Sequence, residues 1–197
     1  MKITKRNSSK YPFLVEINGR KLLIPQQKSF GLFCQKHGCS MAACSIALQT
    51  LGIKQPDGTV WNPREIYQKA KKDVGGYNGS KLSIWGCKTA INKIAGREVA
   101  FWHSNDGKHN NHIRENIEKN LKAGHAVLFE EKAPIHTVIF LGIDSRGKWI
   151  TATNGHIVRR NPSIEIRKGL HGLTGADNQK NWWNGRLHGA GYVVIKG

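Results

Sequence analysis

Apolar and polar residues in this chain follow a different rhythm in its two halves, with helical spacing dominating before residue 125 and strand-like runs after it. The stretch FLVEINGRKLLIPQQ (12–26) sets two apolar runs around Asn18-Gly19. This pair tolerates the positive backbone dihedrals of a two-residue turn, so a β-hairpin is predicted. KSFGLFCQKHG, which follows, has no period and reads as a loop. From Cys39 to Leu51, small and apolar residues recur at three-and-four spacing through Cys39, Ala42, Ala43, Ile46, Ala47 and Thr50, with Leu48 and Leu51 beside them. That pattern predicts a tightly packed central helix, closed by Gly52. Asn62-Pro63 opens an amphipathic, lysine-rich helix, PREIYQKAKK, and a further helix is predicted from Ser83 to Ala95 before Gly96. EVAFWHS predicts a short strand, and HIRENIEKNLKAG a helix whose stripe is Ile113, Ile117 and Leu121.

Beyond this point four strands are predicted, in AVLFEE, HTVIFLGID, KWITATNG and GYVVIKG. The turn Asp144–Gly147 makes the second and third of them antiparallel neighbours. Helices first and a sheet afterwards predict an α+β fold in which helices pack on an antiparallel sheet as segregated layers. One domain is expected over residues 1–197, with a hairpin in 1–26, a mostly helical part in 39–124 and a mostly β part in 126–197.

Composition adds one strong feature: 31 Lys and Arg against 13 Asp and Glu give a net charge of +18. Such an excess favours anionic partners, whether nucleic acid, an anionic envelope or an acidic protein. The basic residues are scattered, with short clusters at Lys69, Lys71, Lys72 and at Arg159, Arg160, so solubility explains the charge equally well. The basic N-terminal stretch lacks the apolar core of a secretory signal, and no run approaches the ~20 apolar residues of a membrane span. A soluble, cytoplasmic protein is expected. Four cysteines, three of them between positions 34 and 44, suit free thiols better than a disulfide framework.

Cys39 begins the central helix directly after Gly38. Backbone N–H groups and the helix dipole stabilise a thiolate there, which makes Cys39 the candidate nucleophile, whereas Cys44 and Cys87 fall inside helices as small hydrophobes. Of nine histidines, His136 opens an apolar strand and is the candidate base; His125 and His37 are weaker choices. Asn154 ends the strand paired with that of His136 and is the candidate acceptor for its second N–H, although Asn154-Gly155 is also a common turn pair. Gln35 is the candidate side-chain donor to an oxyanion, with Gln26 and Gln27 as alternatives. Zinc binding by Cys34, His37, Cys39 and Cys44 fits no common spacing. Trp182 and Trp183 suggest either buried loop aromatics or a stacking platform.

These residues resemble a known family. GCSMAACSIALQTLG is similar to the nucleophile helix of the bacteriocin-leader-processing peptidases and their stand-alone relatives, in the papain-like superfamily. LKAGHAVLFEEKAPIHTVIFLGID resembles their histidine-bearing segment, and KWITATNG the segment of their third catalytic residue. The resemblance spans residues 22 to 160. Ser40 departs from the Gly or Glu usual after the nucleophile, Asn154 stands where the relatives mostly have Asp, and Gln35 lies closer to the cysteine than their glutamine. The resemblance implies a papain-like cysteine peptidase that needs no cofactor and acts on a peptide or protein substrate, and the +18 charge suits an acidic one. Two rival expectations are a non-catalytic basic module for nucleic acid or an anionic surface, and an acyltransferase or amidase using the same thioester chemistry.

Overall fold

The computed structural model describes residues 1–73, 82–105, 110–132, 135–162 and 191–197. The predicted N-terminal hairpin is present as β2 (Phe13–Ile17) and β3 (Arg20–Ile24), joined by Asn18 and Gly19 at φ 50° and 71°. A strand that the pattern did not predict, β1 (Lys2–Lys5), pairs antiparallel with β2 and completes a three-stranded sheet.

The stretch expected to be a loop holds a 3-10 turn at Gln27–Phe30 and the six-residue helix α1 (Leu32–His37), separated by Gly31 at φ 96°. So short a helix, with Leu32 on its exposed side, leaves no apolar period to detect. The central helix α2 (Cys39–Thr50) is buried on every side from Ser40 to Gln49. Its end is sealed as predicted: Gly52 is left-handed, its N–H bonds the Gln49 carbonyl at 3.0 Å, and Ile53 N–H bonds that of Leu48 at 2.9 Å. Gln49, 6% exposed, extends α2 into the N-terminal sheet by accepting from Leu23 N–H at 2.7 Å and donating to Leu23 C=O at 2.9 Å. The α3 helix (Pro63–Asp73) starts on a reciprocal cap, in which Asn62 accepts from the N–H groups of Arg64 and Glu65 while Glu65 accepts from that of Asn62. In α4 (Ile84–Ala95), Ser83 caps the start and left-handed Gly96 closes the end.

The second sheet contains β4 (Ala100–Ser104), β5 (Ala126–Lys132), β6 (Ile135–Ile143), β7 (Trp149–Thr153), β8 (His156–Arg160) and β9 (Gly191–Ile195), in the order β4-β9-β5-β6-β7-β8, and every neighbouring pair is antiparallel. The β6–β7 hairpin forms as predicted, whereas β8 was not anticipated. The two faces of the sheet bury different sets of side chains. Leu128, Ile139, Leu141, Ile150, Ala152 and Val193 pack with Met41, Ile46 and Leu48 of α2 and with α4. Val127, Phe129, Val138, Phe140, Trp149, Tyr192 and Val194 pack against Ile113, Ile117 and Leu121 of α5 (Asn110–Lys122). The fold is therefore α+β, but its layers differ from expectation. The α5 stripe covers the face opposite α2, so helices lie on both sides of the sheet. No described helix is long and apolar enough to cross a membrane.

Candidate functional site

The chain passes from α1 into α2 at Gly38 (φ −83°, ψ 1°), whose N–H bonds the Cys34 carbonyl at 2.8 Å and whose carbonyl accepts from Ala42 N–H at 2.8 Å. A Cβ on Gly38 would lie 2.4 Å from the Cys34 carbonyl oxygen, a separation that only a glycine avoids. The turn leaves Cys39 as the first residue of α2, partly buried, with no intrahelical partner required of its N–H. Because α2 packs along β6, its start lies over the start of that strand, where His136 and Thr137 follow one another.

The sulfur of Cys39 meets both residues. Burial resists its ionisation, but hydrogen bonds from the His136 ring and the Thr137 backbone N–H, the charge of His136 and the Thr137 hydroxyl outweigh it, so the thiol titrates below its ordinary value. Two other cysteines shift the opposite way. Contact with Cys44 and complete burial push Cys87 well above the usual thiol range, and burial raises Cys34 despite the nearby Arg64 guanidinium. Cys39 is thus the thiol whose surroundings favour the nucleophilic thiolate.

The imidazole of His136 is held from its far side. Its Nε2 hydrogen-bonds the Thr153 hydroxyl at the end of β7, which leaves Nδ1 for the sulfur. Thr153 was not singled out from sequence. The signal available was the β6–β7 hairpin itself, which brings the end of β7, Thr153, toward the start of β6, His136. Asn154 takes a different position. With φ 41°, and followed by Gly155 at φ 76°, it is the first of the two turn residues between the paired Thr153 and His156, and its buried Oδ1 accepts no hydrogen bond.

The three glutamines also separate. Gln35 is exposed on α1, and it is its backbone carbonyl that accepts, from Gln27 Nε2 at 3.0 Å. Gln27 is buried, with Oε1 unpartnered. Gln26 packs against the β7–β8 turn, its amide nitrogen 2.7 Å from where a Cβ of Gly155 would sit. Of the three, Gln26 is the one brought to the turn beside Thr153.

Two buried carboxylates lie near. Glu131 stands opposite His136 in the β5–β6 pairing and is bridged by Arg160 at 3.3 Å, while Glu130 stands opposite Thr137. Elsewhere, His125 hydrogen-bonds Asn120 at 3.4 Å, His103 stacks on Tyr192, and His37 packs near Phe33. Among the described residues no group of three or more His, Cys, Asp or Glu is arranged to hold a metal ion. Trp182 and Trp183 lie outside the described residues. Compared with known proteins, the chain matches no family model and no curated sequence.

Proposed function

We propose that the chain is a papain-like thiol hydrolase that cleaves a peptide bond, with Cys39 as nucleophile and His136 as its proton partner. The supporting observation is the contact between a thiol at the start of a buried helix and an imidazole at the start of a rigid strand, which lowers the thiol's proton affinity. In this reading the Cys39 thiolate attacks the substrate carbonyl carbon, and its electron pair moves onto oxygen. The oxyanion is met by the Cys39 N–H at the helix start and by the Gln26 amide, each donor worth roughly 3 kcal/mol. His136 donates its proton to the departing amine as the C–N bond breaks, leaving a thioester on Cys39. It then takes a proton from water, whose oxygen displaces the thiolate and releases the carboxylic acid.

The +18 charge suits an acidic peptide or protein segment as substrate. Incubation with a complex peptide mixture, with new termini identified by mass spectrometry, tests the reading. Cleavage is expected from the natural chain and not from Cys39→Ala or His136→Ala, with a loss of about 100-fold in Gln26→Ala and little change in Gln35→Ala. Cleavage that survives Cys39→Ala contradicts it.

A further inference from the structure

We propose that Thr153, and not Asn154, is the positioning residue that fixes the His136 ring for Cys39. The inference rests on the Cys39–His136 pairing above and names the residue that supports it.

Strand geometry decides between two consecutive residues. Thr153 is the last residue of β7, whereas Asn154 lies beyond it in the left-handed turn to β8. Ile139 pairs with Ala152, so Thr153 is the next residue of β7 toward the start of β6, where His136 stands. The hydrogen bond follows this geometry: Nε2 of His136 meets Oγ1 of Thr153. Asn154 meanwhile spends its backbone on the turn at φ 41°, and its amide oxygen has no partner.

The chemistry agrees with the placement. When the thiol proton has moved to the imidazole, both ring nitrogens carry hydrogens and both need acceptors. The sulfur serves one and the Thr153 oxygen the other, which fixes the orientation of the ring. A hydroxyl also differs from a carboxylate in that it supplies an acceptor without a negative charge. The charges that face His136 come instead from neighbouring strands: Glu131 on β5, bridged to Arg160 on β8, and the exposed ring of His156 opposite Thr153.

The test needs no substrate. The rate of iodoacetamide labelling at Cys39, mapped by mass spectrometry from pH 5 to 9, reports the thiolate fraction directly. In Thr153→Val the imidazolium loses an acceptor, and labelling at pH 6 is expected to fall about ten- to a hundredfold, with the curve displaced toward that of an ordinary thiol. Thr153→Ser retains the hydroxyl and restores the natural curve, and Asn154→Gly, suited to a left-handed turn, leaves it in place. Far-ultraviolet circular dichroism confirms that each variant is folded. A curve displaced in Asn154→Gly and unchanged in Thr153→Val overturns the proposal, as does Thr153→Ser behaving like the valine variant. The pairing itself is tested by His136→Ala: if that variant labels like the natural chain, the Cys39–His136 reading fails, whatever Thr153 does.

Discussion

Replacing Gly38 by alanine tests how the site is presented. The added Cβ would stand 2.4 Å from the Cys34 carbonyl oxygen and 2.9 Å from both its carbonyl carbon and its Cα. All three are backbone atoms, so no rotamer change relieves the contact; α1 must shift relative to α2, and the Gly38–Cys34 hydrogen bond of 2.8 Å must lengthen. Overpacking of this kind costs about 3 kcal/mol. Alanine returns between 0.4 and ~1 kcal/mol by restricting the unfolded chain, which leaves a net loss of about 2 kcal/mol. Urea unfolding followed by circular dichroism measures this as a lower midpoint at unchanged slope. The same shift moves the start of α2 away from His136, so Cys39 labelling at pH 6 falls as well. Gly147→Ala is the control, since Gly147 is left-handed at φ 72° with nothing within 4 Å of its Cβ position. It costs on the order of 1 kcal/mol and leaves Cys39 unaffected. If Gly38→Ala costs no more than Gly147→Ala and labels Cys39 equally fast, the kink does not present the nucleophile as argued.

Gln49→Ala removes the partners of the half-buried Leu23 N–H and C=O, and a loss of roughly 2–4 kcal/mol in urea unfolding is expected; a loss below 1 kcal/mol means that water replaces the side chain. Burial, followed by the nearby Lys196 ammonium, lowers the pKa of His125 in the native state. The unfolded chain then binds the proton first, so stability is full above the ordinary histidine value of about 6.5, declines as pH falls through it and levels off below the native value. Unfolding measured from pH 8 to 4 shows a shallower decline in His125→Gln; identical slopes contradict the assignment.

What the sequence revealed depended on whether local chemistry or tertiary placement decided each feature. Asn18-Gly19, the Asn62–Glu65 cap and Gly52 act through their own backbone neighbours, and their turns and helix ends were readable. The α5 stripe announced a buried face without indicating which side of the sheet it would cover. β8 was missed because HIVRR mixes two apolar residues with an otherwise polar segment at the sheet edge. At the site, the placement of Cys39 at a helix start and of His136 at a strand start was legible, and the structure brings the two together. Asn154 was chosen as the neighbour of His136 because an amide looks the better acceptor by residue type, while the structure brings the adjacent Thr153 hydroxyl to the ring and places Asn154 in the left-handed turn. Gln35 was preferred for its closeness in sequence to Cys39, yet the α1 helix carries its side chain outward and the preceding turn brings Gln26 inward.

The central claim is that Cys39 is a thiolate made by its surroundings, and site-resolved labelling of all four cysteines in one native sample tests it most directly. At pH 6 with iodoacetamide, Cys39 is predicted to react at least tenfold faster than Cys34, Cys44 or Cys87, and His136→Ala to remove most of that advantage. Equal rates at the four positions in the native chain contradict the account.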